Sequence, residues 1–134
     1  MPPTSPDLPQ IAAGSPVGRG CLTAAAASSR NTIRRLNDEF RRDFSRGRIV
    51  ITAGVAALNE TERLSLLAAV RIFNDFIPGN DPYGEHDFGK IEVEGVTYCW
   101  KIDYYDAALK HGSADAADPA LTTRVLTIMR SDEY

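Results

Sequence analysis

The chain has 134 residues, of which 43% are hydrophobic and 25% charged, and its formal net charge is -3. This length suits one domain with its own core, and the composition excludes a chain that is disordered throughout. The small net charge does not point to a nucleic-acid or membrane partner. No segment has the roughly 18 uninterrupted apolar residues that a membrane helix needs, so we expect a soluble protein.

Residues 1–29 are rich in Pro, Ala, Ser and Gly and hold few large apolar side chains. Ordering them would cost backbone entropy that little burial could offset. We therefore predict a disordered tail followed by a single globular domain at residues 30–134. The tail lacks the basic start and apolar run of a secretory signal. The two cysteines, Cys21 and Cys99, lie far apart, which disfavours a disulfide framework and favours a cytoplasmic protein.

The first helix is predicted to start near Asn31, a favourable N-cap, and to stop at Gly47. Its apolar residues recur at helical spacing, namely Ile33, Leu36, Phe40 and Phe44. Seven arginines between residues 30 and 48 accompany three acids. Because Arg35 and Glu39 are spaced at i, i+4, the pattern favours a solvent-exposed face with ion pairs over a surface that tracks phosphates.

The next elements are a strand and a second helix. The short β-branched run "RIVIT" predicts a strand at residues 48–52. One helical turn is expected after Gly54. A helix capped by Asn59 or Thr61 should then run to near Phe76, before a proline.

The C-terminal half is predicted to be mostly strand. "KIEV" and "VTYCWKIDYYD" flank Glu94-Gly95, which is typical of a two-residue hairpin turn. After a polar segment with a short helix at best, "TTRVLTIMR" predicts an interior strand covered on both faces. The order indicates an α+β domain whose antiparallel sheet, made of the hairpin and the C-terminal strand with room for a fourth strand, is packed by two helices.

The long hairpin strand has two different faces. One face is predicted to be core and holds Val96, Tyr98, Trp100, Ile102 and Tyr104. On the other face, Lys101, Asp103 and Tyr105 could join Tyr83 in an exposed aromatic and charged surface of the kind that binding sites favour. The alternative is that Lys101 only pairs across or along the sheet with Glu92 or Asp103.

The loop "NDPYGEHDFG" concentrates acids, a histidine, a proline and glycines before the hairpin. Its Asp81, Glu85, His86 and Asp87 could bind Mg, Mn or Zn with the strand-end carboxylates Asp103 and Asp106. No spacing matches a defined ligand motif, however. Acids beside Pro and Gly more often make hydrogen bonds within turns.

Counting outward from the Glu94-Gly95 turn predicts where this loop lies. Gly89 falls opposite Trp100, and His86 falls opposite Asp103. A bulge at Gly89 would turn Phe88 inward. In either case we predict His86 within hydrogen-bond or one-water reach of Asp103 or Asp106, with Asp81 mainly shaping the turn.

Residues Asn31 to Tyr134 resemble a bacterial, alphaproteobacterial family known as a domain of unknown function (DUF3768). The resemblance rests on "LNDEFR", "TAGVAAL", "NDPYGEHDFG", "WKIDYYD", "GSADAADPA" and "RVLTIM" in this order. Ala114 and Ala116 stand where the family has glutamate and proline. The family supplies no activity, cofactor or catalytic residue. Its occurrence on chromosomes and plasmids implies an accessory or host-interaction role, including interference with a defence system.

We therefore expect a protein-binding or regulatory accessory module that uses the acidic loop and the hairpin face. The binding residues predicted for it are Tyr83, Glu85, His86, Asp87, Lys101, Asp103, Tyr105 and Asp106. The alternative is a metal-dependent hydrolase centred on Glu85, His86 and Asp87. The partner is expected to be a protein, with no nucleic acid or membrane. No catalytic residue or cofactor is assigned, and the oligomeric state stays open.

Overall fold

The computed structural model describes residues 24–134. In this part of the chain the elements are α1 (Ala24–Asp43), β1 (Arg48–Ile51), α2 (Ala53–Ala56), α3 (Glu60–Arg71), β2 (Phe88–Val93), β3 (Val96–Tyr105), β4 (Thr123–Arg130) and a 3-10 turn, Ser131–Glu133. The four strands form one sheet in the order β1-β4-β3-β2. The predicted α+β class is confirmed.

The first helix is longer at its start than predicted. It begins at Ala24 and not near Asn31, so residues 24–29 of the predicted tail are helical. Alanine has the highest intrinsic helix propensity of all residues, so the four alanines of this segment favour a helix although its overall composition suggested disorder. Residues 1–23 lie outside the described residues. The helix ends at Asp43, because Phe44 adopts a left-handed φ of 61° while its N–H still bonds to the carbonyl of Phe40.

The strand that follows matches its prediction to within one residue, whereas the predicted helical turn starts at Ala53 and includes Gly54. The capping box is present at Asn59, whose side chain accepts from the backbone N–H of Glu62 while the Glu62 carboxylate accepts from the N–H of Asn59. Helix α3 ends at Arg71 and not near Phe76. The chain from there to Phe76 is irregular, and this places the Phe76 ring beside the acidic loop.

The hairpin has the predicted register. Val93 pairs with Val96, and Gly89 pairs with Trp100. Both turn residues have positive φ, 51° at Glu94 and 82° at Gly95, as a type I′ turn requires.

Of the two registers considered at Gly89, the one without a bulge is observed. Phe88 pairs in register with Lys101, so its side chain stays on the face of Lys90 and Glu92. There the Phe88 ring packs 5.8 Å from the ring of Tyr134. The Tyr134 ring therefore covers the apolar Phe88 side chain on this face, and no bulge is needed to bury it.

The sheet is mixed and not fully antiparallel. β4 lies in the interior, antiparallel to β3 and parallel to β1. The core lies on one face, where Phe40, Val55, Leu66 and Val70 of the three helices pack against β3 and β4. We call the opposite face the open face; it includes Val50, Phe88, Lys101, Asp103, Tyr105, Val125 and Thr127. On this face Val125 and Thr127 are half-buried and Met129 is buried, so β4 is covered only in part there and not fully on both faces as predicted.

The segment after β3 carries no helix within residues 106–122, only turns and a bridge between Tyr105 and Gly112. Among the described helices, none is long and apolar enough to cross a membrane.

Candidate functional site

The acidic loop, defined here as residues 81–87, lies along α1. Arg34 donates a hydrogen bond to the Gly84 carbonyl at 3.2 Å, and the Asn37 amide donates to the Glu85 carbonyl at 3.0 Å. Residues three and four apart share one side of a helix, so Arg34, Asn37 and Asp38 all face the loop. The basic helix and the acidic loop therefore contact each other.

His86 is held by α1 and not by the strand end. Its ring stacks on Phe76 with a centroid distance of 3.7 Å and an interplanar angle of 3°. Its Nδ1 lies 2.9 and 3.1 Å from the two carboxylate oxygens of Asp38. Because a carboxylate without a proton only accepts, Nδ1 is the protonated nitrogen in this contact. Asp38 thus takes the place predicted for Asp103 or Asp106.

The reason for this difference is the backbone at His86. Strand pairing stops at Phe88, and His86 has a left-handed φ of 57°, which turns the chain towards α1. The Asp81 carboxylate accepts from the backbone N–H of His86 at 3.0 Å, so the predicted turn-shaping role of Asp81 is confirmed. Asp81 also approaches Nε2 of the imidazole at 3.7 Å.

Asp38 is shared with a buried arginine. Arg41 donates to the same Asp38 oxygen at 2.9 Å and to the carbonyls of Val70 and Arg71 at 3.0 and 3.1 Å. Its side chain is only 2% exposed, and burial lowers its pKa although Asp38 opposes this. We call the connected groups of Arg41, Asp38 and His86 the helix clasp, since they join α1, α3 and the acidic loop. Arg41 was predicted on the solvent face, and that prediction is wrong.

A second polar network lies next to the helix clasp. The Tyr104 hydroxyl donates to the Glu85 carboxylate at 3.0 Å and accepts from Asn37 at 2.8 Å. Arg124 donates to Asn37 at 2.7 Å and to the Ala116 carbonyl at 2.6 Å. Burial raises the pKa of Glu85 and, together with Glu85, raises the pKa of Tyr104 well above its usual value. The Glu85 carboxylate is therefore engaged by a hydrogen bond inside the protein.

Asp87 is another perturbed carboxyl group of the loop. Burial, followed by the charges of Glu85 and Asp81, raises its pKa to about 7. Its own carbonyl accepts from the backbone N–H of Ile102 at 2.9 Å, which anchors the end of the loop to β3.

The eight predicted binding residues do not form one surface. Glu85 and His86 face α1, whereas Lys101 and Asp103 pair at 2.8 Å on the open face. That pair is the alternative foreseen for Lys101.

The other predicted residues lie towards the ends of these surfaces. Tyr83 is 63% exposed, and the Arg30 guanidinium lies over its ring at 5.1 Å. Asp106 accepts from the N–H of Lys110, and Tyr105 bridges to Gly112.

A metal centre at residues 85–87 finds no support in the arrangement of the donors. The Glu85 carboxylate meets the Tyr104 hydroxyl, while the His86 ring meets Asp38. Between residues 24 and 134, no group of three or more His, Cys, Asp or Glu side chains is arranged to hold a metal ion.

The sequence carried one signal for the network residues that were missed. Asn37 and Arg41 follow the apolar Ile33 at i+4 and i+8 and flank Phe40, so they fall on the buried side of α1. Polar residues at core positions of a helix need hydrogen-bond partners, which predicts a buried network. Asp38 and Arg124 carried no comparable signal.

We expect His86→Ala to lower the free energy of unfolding by about 2 kcal/mol, because it removes the ring stacked on Phe76 and leaves Asp38 with one partner fewer. Thermal or urea melts would measure this. His111→Ala is the matched control, since His111 is 82% exposed and should change stability little. If His86→Ala and His111→Ala had the same free energy of unfolding, this would contradict a structural role for His86.

The fold and these contacts define a small α+β domain in which a helix clamps a polar loop onto a mixed sheet. Compared with known proteins, residues 51–133 match the family model described as Protein of unknown function (DUF3768), and the chain belongs to this family. The match starts within β1 and leaves out α1, so it is shorter than the resemblance seen from residue 31 onwards. No curated protein and no solved structure matches the chain.

Proposed function

We propose that this protein is a cytoplasmic binding or regulatory accessory module that engages a protein partner through its open face. The supporting observation is the composition of that face. Tyr134, 59% exposed, packs there on Phe88, which pairs with Lys101 of the Lys101–Asp103 ion pair. Val50, 45% exposed, lies on the strand at the opposite edge of the same face. Aromatic side chains surrounded by polar groups are typical of protein interfaces.

The acidic loop has a smaller part in this proposal than the open face. Glu85 and His86 are engaged within the protein, so Tyr83 is the loop side chain that a partner could reach. The thiol of Cys99 is free and buried, which is consistent with a reducing compartment.

Thr127→Arg tests the proposal, because Thr127 is half-buried at the centre of the open face, opposite Lys101. An added arginine there introduces bulk and a like charge into the contact surface. Leu64→Arg is the matched control, since Leu64 is 57% exposed on α3. We expect the control to capture the same partner as the wild type from a lysate of the native host, and Thr127→Arg to capture about tenfold less.

The readout is quantitative mass spectrometry of the captured proteins, with melting curves to show that both variants fold. An identical set and amount of proteins on the folded Thr127→Arg variant would contradict binding through the open face.

A further inference from the structure

The outer edge of β1 carries no charged side chain between Ile49 and Ile51 that would discourage strand pairing. Among residues 24–134, β1 stands at the end of the sheet and pairs only with β4. The edge strand at the other end, β2, carries Lys90 and Glu92, and such charges discourage edge-to-edge pairing. In β1 the run from Ile49 to Ile51 has no charge, and Val50 and Ile51 are 45% and 37% exposed.

The backbone groups on that edge can be assigned from one hydrogen bond. The N–H of Thr52 donates to the Ile128 carbonyl at 3.2 Å, and Ile51 is the register partner of Ile128. In this parallel pattern Val50 and Thr52 direct their peptide groups towards β4. The N–H and C=O groups of Ile49 and Ile51 therefore point away from the sheet, where within residues 24–134 no strand pairs with them.

We propose that β1 is a self-association edge, on which a second copy of this chain pairs its own β1 in antiparallel orientation about a two-fold axis at Val50. Ile49 then lies opposite Ile51 of the second copy, and the two residues exchange both N–H···O bonds. The two-fold axis produces the same exchange between Ile51 and Ile49 of the second copy. The outward N–H and C=O groups of both residues are therefore all hydrogen-bonded. Val50 meets Val50 of the second copy in a non-hydrogen-bonded pair, where side chains come closest.

The charges at the ends of β1 fit the same register. Arg48 is exposed and has no ion pair within residues 24–134. The pairing places it opposite Thr52 of the second copy. The Thr52 hydroxyl donates to the Glu133 carboxylate at 2.6 Å, and the N–H of Gly54 donates to the same group at 2.8 Å.

Each Arg48 therefore meets a carboxylate that the other copy already holds in place. The two arginines stay at opposite ends of the paired strands. A shift by one residue would send the side chains to the opposite faces and lose this match.

The size of the contact sets the expected strength. One pair of four-residue strands buries less than the roughly 800 Å² per partner of a standard stable interface. The dimer should thus be weak and depend on concentration, with a Kd on the order of tens of micromolar.

Sedimentation equilibrium of the full chain from roughly 10 µM to 1 mM should show a monomer–dimer equilibrium. Val50→Lys puts two like charges on the two-fold axis and should weaken it by at least about tenfold. Val50→Thr keeps a neutral β-branched side chain and is the matched control, so its dimer should persist. A wild type that stays monomeric over this range, or a dimer that Val50→Lys leaves unchanged, would overturn the proposal.

Amide hydrogen exchange of the wild-type chain, followed by NMR, gives a test that needs no variant to fold. The Ile49 and Ile51 amides should become protected as the concentration rises, whereas the Val50 amide, bonded to β4, should be protected at every concentration. A dimer in which the Ile49 and Ile51 amides stay unprotected would use another surface and would also overturn the proposal.

Discussion

Replacing Trp100 with alanine is expected to lower the free energy of unfolding by about 3 to 5 kcal/mol. Trp100 is 0% exposed, and its ring lies edge-on to Phe73 and Phe76 with centroid distances of 5.6 and 6.1 Å. The Arg41 guanidinium lies over the same ring at 5.2 Å. An alanine would leave a cavity between these groups, and in a domain of this size the loss is a large part of the net stability.

Urea denaturation followed by circular dichroism measures this loss, because the variant has no tryptophan fluorescence. Trp100→Phe should lose less, since it keeps an aromatic ring and removes an indole N–H that has no hydrogen-bond partner within residues 24–134. Tyr83→Ala, an exposed aromatic position, is the control and should change stability by about 0.5 kcal/mol at most. A loss below about 1 kcal/mol for Trp100→Ala would contradict its core placement.

The parts of the fold that could be predicted rest on local signals. The Glu94-Gly95 turn sets the hairpin register, and alternation along β3 then places Trp100 in the core. Asn59 caps α3 through side-chain and backbone groups only three residues apart. In each of these cases the deciding interaction lies within a few residues of the chain or follows by counting from a turn.

The parallel pairing of β1 with β4 could not be predicted in the same way. Arg48 pairs with Val125, a partner far away in sequence, and nothing in "RIVI" specifies it. The end of α1 shows a different limit. A left-handed conformation at Phe44, a bulky residue that seldom adopts it, ended the helix before the glycine that the pattern favoured.

The contacts of His86 were missed because the strand register was extended too far. Counting outward assumed that pairing continues past Phe88, whereas the left-handed backbone at His86 takes its side chain to Asp38 on α1. The charge count on α1 also led to the wrong placement of Arg41. It grouped Arg41 with solvent-exposed arginines, although the spacing from Ile33 places it on the buried side.

The clearest chemical consequence of this arrangement is a dependence of stability on pH. Burial, with Glu85 and Asp81 nearby, raises the pKa of Asp87 from 3.8 to about 7. Between these values the folded protein holds a proton that the unfolded chain has released. The free energy of unfolding therefore falls as the pH rises from about 4 to about 7, and the destabilisation is complete above that range.

Asp87→Asn is expected to stabilise the protein at pH 8 by about 2 kcal/mol and to change it little at pH 4. The full shift would correspond to about 4 kcal/mol, and the partial exposure of Asp87 reduces this through solvent screening. Urea melts of both proteins at several pH values would measure the difference. Glu92→Gln, at an exposed position on β2, is the control and should show no such divergence. Part of the slope should remain in Asp87→Asn, because burial also raises the pKa of Glu85. If the two melting profiles stay parallel from pH 4 to pH 8, the carboxyl group of Asp87 titrates as it would in water and the loop is more open than its contacts indicate.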